Sequence, residues 1–166
     1  MSTPPLYRLA LSGFQQANSR LAGLLTNAPN RDAALIAAME AAYWANALDL
    51  RLREDDAAYL ALTGDGPGLM RGLRFIRNRA AHQLPMVVEV TGGLRAPIKF
   101  PLTVHPIRIR WVDASVLPPA EERHRNAGAE ACYVARFQGR PVDEVLTEVA
   151  HWFDQEQART GSLLST

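Results

Sequence analysis

The chain has 166 residues, 48% of them hydrophobic and 21% charged, with a formal net charge of +1. That composition fits one globular domain, 1–166, able to bury a core, and excludes a disordered chain. The near-neutral balance argues against coating nucleic acid by bulk charge, and a lone Cys132 excludes an internal disulfide framework or a cysteine zinc cluster. No apolar run reaches the ~18 residues a membrane span needs, and no signal peptide precedes the first helical stretch. The expectation is a cytoplasmic protein that does not engage a membrane.

Tyr7, Ala10, Leu11, Phe14, Ala17, Leu21, Leu24 and Leu25 recur with a helical period. Thr26 to Asn30 breaks that period, and Asn30 is suited to cap the next helix. The second helix carries Ile36, Met39, Tyr43, Ala47 and Leu50 on one face, and its alanines allow close packing. Glu40 and Asp49 are acids on this otherwise apolar helix. A buried acid needs a partner, which an arginine of a neighbouring helix would supply; two solvent-facing acids are the plainer expectation. Glu54 to Leu62 prolongs the helix or forms a short separate one. Thr63 to Gly68 reads as a turn, with Pro67 suited to a first helical turn; it lacks the Gly-Lys-Ser/Thr ending of a phosphate loop.

The next helix brings Arg, Asn and His together in Arg74-Phe75-Ile76-Arg77-Asn78-Arg79-Ala80-Ala81-His82. Leu69, Leu73, Ile76, Ala80 and Leu84 form its apolar face. Arg71, Arg74, Asn78 and His82 lie on the other side, the last three as an i, i+4, i+8 row. Arg77 flanks that row, roughly 140° from His82. Pro85 closes the helix.

Beyond Pro85, Met86 to Thr91 reads as a strand and Gly92-Gly93 as a turn. Ile98 to Leu102 is a weaker strand, and Ile107 to Val112 alternates with Arg108 and Arg110 on one face. A solvated strand face is the plainer account of these two arginines, contact with RNA phosphates the sharper one. A helix is expected from about Ala120 to Arg136. Gly139 and Pro141 then stop one helix and open another, whose stripe is Val142, Val145, Leu146, Val149 and Phe153. His151 and Trp152 lie off that stripe, and Gly161 onward is expected to fray. His82, His105, His124 and His151 show no metal-ligand spacing, so neither metal nor cofactor is expected.

The segment Arg77-Asn78-x-x-x-His82 resembles the signature of the HEPN superfamily (higher eukaryote and prokaryote nucleotide-binding domains): Arg, a polar residue, a short gap and His on a late helix. The resemblance implies a mainly α fold, a HEPN-like bundle of four to five helices, here with a small β-hairpin or sheet inserted around 86–112. It implies a metal-independent endoribonuclease, of the toxin or phage-defence type, working at a composite cleft between two copies and leaving a 2′,3′-cyclic phosphate. Arg77, Asn78 and His82 would then be catalytic, and Arg71 and Arg74 would guide RNA. The implied partners are RNA, a second copy and a cognate antitoxin. The competing expectation is a non-catalytic bundle of the same kind that binds a nucleotide, RNA or a protein.

Overall fold

The computed structural model describes residues 5–26, 30–83, 87–93, 105–122 and 125–165, with backbone alone at 5, 26, 82, 93 and 105–107. Within them the chain is mainly helical: α1 (Pro5–Thr26), α2 (Arg31–Asp55), the single turn α3 (Ala57–Leu60), α4 (Asp65–Gln83), α5 (Ala127–Arg136) and α6 (Val142–Ala158). A two-stranded antiparallel sheet, β1 (Val88–Gly93) and β2 (His105–Trp111), stands between α4 and α5. This is the expected helical bundle with a small hairpin, and α3 is the short separate helix that was one of the two expectations for Glu54 to Leu62. Leu84, Pro85, Met86, Ile98 to Leu102 and His124 fall outside the described residues.

α2 buries its alanine face rather than the face of its larger apolar residues. Ala34, Ala37, Ala38, Ala41, Ala42 and Ala45, continued by Leu48 and Leu52, form the core-facing surface. A row of alanines lets backbones approach closely, so α1 packs along α2 and buries Phe14, Ala17 and Leu21 in the same core. The larger apolar residues are left outside: Ile36 is 66% exposed, Tyr43 52% and Leu50 41%. Asn30 caps the helix through Oδ1, which accepts from the Asp32 and Ala33 N–H groups. Asp56 ends α2 and caps α3, accepting from the Tyr59 N–H.

α4 is covered on more sides than one apolar face predicts. Leu69, Leu73 and Ile76 are buried as expected, but so are Met70, Phe75 and Arg79. α5 and α2 both pack against this helix. Gly72 makes the α4–α5 approach possible: a Cβ there would lie 2.5 Å from Cε2 of Phe137. α5 starts later than the expected Ala120, because Asn126 supplies the cap, its Oδ1 accepting from Ala129 N–H.

In the sheet, Glu89 pairs with Arg110 and Thr91 with Arg108. Gly92 and Gly93 belong to β1 rather than to a turn. Gly92 has φ +84°, and the register shifts between Thr91 and Gly93, so the diglycine forms an irregularity in the strand. Arg108 is exposed, whereas Arg110 is half-buried and donates to Thr91 Oγ1 and to the Gly139 carbonyl. The segment after Gly161 is folded back rather than frayed. Leu164 is buried, and Ser162 Oγ donates to Glu156, a buried acid that also takes Arg159.

Candidate functional site

The candidate site lies on the side of α4 that borders α2. Arg77 and Asn78 are both half-buried, and Arg77 Nη1 donates to Asn78 Oδ1 at 3.0 Å. That bond uses the one acceptor of the pair. Among the described residues the Asn78 amide N–H groups and the other Arg77 guanidinium N–H groups remain as donors, an arrangement that favours an anion.

Arg74, one turn earlier, is fixed from α2. Its Nη2 reaches Asp49 Oδ2 at 2.6 Å. Asp49 is therefore not a solvent-facing acid: it is buried, and its other oxygen accepts from the Tyr59 hydroxyl at 2.9 Å. Tyr59 in turn accepts from Trp152 Nε1 at 3.1 Å. Burial, then the Asp49 charge, raises the Tyr59 hydroxyl well above its ordinary range, so it stays a proton donor. Trp152, Tyr59, Asp49 and Arg74 thus link α6, α3, α2 and α4. Glu40, also on α2, pairs with Arg20 of α1 at the surface.

Asn46, one turn before Asp49, is buried. Its amide donates to the Ala42 carbonyl, while its Oδ1 has no partner among the described residues. Arg71 is exposed on the same row as Arg74 and Asn78. The α4 backbone continues helically through residue 82, so the 74–78–82 row is kept; the His82 side chain lies outside the described residues.

Reasoning from sequence missed Asn46, Tyr59 and Trp152. An Asn and an Asp three residues apart in an alanine-rich helix, each needing a partner if buried, were the available signal for the α2 side. Nothing in the local sequence marked Tyr59 or Trp152, which lie 10 and 103 positions from Asp49. Among the described residues no group of three or more His, Cys, Asp or Glu is placed to hold a metal ion, and no helix is long and apolar enough to cross a membrane.

No family model matches the chain, and no curated protein or solved structure is significantly similar to it.

Proposed function

We propose that this chain is a metal-independent endoribonuclease that acts as a pair of copies, with Arg77, Asn78 and His82 as its working residues. The observation that carries the reading is the Arg77–Asn78 pair, two donor-rich side chains held together one turn from an arginine pinned by a buried carboxylate. In the reaction, a base takes the 2′-OH proton and that oxygen attacks the adjacent phosphorus. The bond to the 5′ oxygen breaks, and an acid protonates the leaving oxygen. A 2′,3′-cyclic phosphate and a 5′-OH result. A histidine serves as base or acid near neutral pH, and two copies of His82 divide the two proton transfers. Arg77 stabilises charge as it develops on the phosphate, and Asn78, held by Arg77, directs its amide N–H groups to the same oxygens. Arg74 is a positioning residue, and Arg71 meets the RNA backbone. The toxin or phage-defence role, and with it a cognate antitoxin, belongs to the same proposal.

The exposed row of α2 supports pairing of copies. Ile36, Tyr43 and Leu50 are seven residues apart, the spacing at which helices interlock, and large exposed apolar rows on soluble proteins mark interfaces.

The decisive experiment is cleavage of total and transfer RNA in excess EDTA by wild type and by His82→Ala. Cleavage lost in the variant supports the reading; equal cleavage by both overturns it. Tyr43→Glu, at an exposed position, is expected to convert a dimer into a monomer on size exclusion and to abolish cleavage with the helical circular dichroism unchanged. The net charge of +1, and the commitment of Arg74 to Asp49, favour as second reading a non-catalytic bundle that binds a nucleotide, RNA or a protein. A strict monomer that binds RNA without cutting it would establish that alternative.

A further inference from the structure

α4 carries a second guanidinium on its opposite side. Arg79 lies two residues beyond Arg77, roughly 200° around the helix. Its residue is only 8% exposed, and its Nε is buried without a partner. Among the described residues its side chain makes neither a hydrogen bond nor an ion pair. Its guanidinium carbon lies over the Phe75 ring, 5.6 Å from the centroid. Burial lowers the Arg79 pKa from its ordinary value and Glu130 opposes this from a distance, yet a guanidinium stays charged in any protein setting. Buried cations are as a rule paired, because leaving water without a counter-charge is costly.

The space beside Arg79 is a cavity of about 420 Å³ between α4, the 114–120 segment and the start of α5. That volume falls in the range of small-molecule sites, roughly 300–1,000 Å³. Arg79 and Phe75 are buried and form its inner end, while Leu117 and Pro119 provide apolar wall. Arg125 and Glu130, both exposed, stand at the mouth. Arg125 already donates to the Ala120 carbonyl.

We propose that this cavity binds a small organic monocarboxylate, its carboxylate on the Arg79 fork and its apolar body along Leu117 and Pro119. A planar fork matches a carboxylate with two parallel hydrogen bonds. One inner cation and apolar walls suit a single negative charge with a hydrocarbon body. Glu130 at the mouth disfavours a second negative charge. The site is independent of the ribonuclease reading, since Arg77 and Arg79 face opposite ways.

The test is calorimetric titration of the full chain with propionate, hexanoate and benzoate, each against its neutral amide, at fixed ionic strength. Saturable binding of at least one acid, with none by its amide, is expected. Arg79→Lys keeps the charge and loses the fork, and should weaken binding about tenfold. Ala120→Trp fills the cavity, leaves Arg79 in place and should abolish binding, which covers the case of an Arg79 variant that folds poorly. Absence of binding by all three acids overturns the proposal. So does equal binding by acid and amide, undiminished binding in Ala120→Trp, or displacement of the acid by equimolar inorganic phosphate.

Discussion

Arg74 and Arg79 sit five residues apart on one helix and are treated in opposite ways. Arg74 meets a buried carboxylate that is itself held by Tyr59, whose hydroxyl in turn accepts from Trp152. Arg79 is more deeply buried, yet it meets an aromatic ring and a cavity. The first cation is spent on joining helices, so its removal is a structural event. The second has no counter-ion within bonding distance among the described residues, so its capacity remains available to a ligand. Burial alone does not distinguish an architectural charge from a functional one; the fate of its counter-charge does.

The largest effect that separates the two is Asp49→Ala. It leaves Arg74 and the Tyr59 hydroxyl facing an empty site, and breaking a buried pair costs 3–5 kcal/mol. Because the Arg74 side chain is 26% exposed and regains water, a loss of about 3 kcal/mol is expected from urea unfolding. A loss under about 1 kcal/mol would mean that the pair carries no architecture. Next comes Gly72→Ala, on the α5 side of the helix where Arg79 lies. The new methyl would meet Phe137 at 2.5 Å and the Cys132 carbonyl carbon at 3.3 Å. Overpacking costs about 1–3 kcal/mol, partly offset by the better helix propensity of alanine, so about 1–2 kcal/mol is expected. Unchanged stability would show that α5 yields easily at that point.

A second paired cluster extends the comparison to pH. Asp56, between α2 and α3, takes Arg159, which also holds Glu156. Burial alone would raise the Asp56 pKa, but the Tyr59 N–H and the Arg159 guanidinium outweigh it and hold the carboxyl below its ordinary 3.8. The folded state therefore binds that proton less readily than the unfolded state does. The stabilisation is fully present above the unfolded value and is lost as pH falls through the lower folded value. Urea midpoints measured from neutral pH to below pH 3.8 should fall more steeply in wild type than in Asp56→Asn. Parallel slopes would mean that Arg159 does not discriminate the charged carboxyl.

How much of this was legible beforehand depended on whether the signal was local. The helices with strong apolar periods, α1 and α6, and the Asn30 cap follow from neighbours within a turn or two. The shared face of Ile36, Tyr43 and Leu50 on α2 was legible, but not whether that face is buried. Six alanines gave the close approach to α1, and the larger Ile36, Tyr43 and Leu50 were left at the surface. The Arg77–Asn78 pair was visible as adjacent residues. The Asp49–Arg74 bond was open as one of two alternatives, since sequence gives residue types and not which helix faces which. Arg79 gave no sign of its burial. It sits one turn past Phe75, on a side of α4 that the 114–120 segment and α5, more than thirty residues later, enclose.

Arg79→Met is the smallest expected effect and the sharpest one. Methionine keeps an unbranched stem, fills the same volume beside Phe75 and brings no charge. Replacing a buried charge by a hydrophobic residue of similar size is often neutral or stabilising, and here no carboxylate is left unpaired, because Glu130 is exposed. The variant should therefore lie within about 1 kcal/mol of wild type in urea, or above it, while Asp49→Ala falls well below. A loss approaching that of Asp49→Ala would mean that Arg79 has a structural partner after all, and the contrast between the two arginines would collapse. Stability retained with carboxylate binding lost would place the two on opposite sides of the line between architecture and recognition.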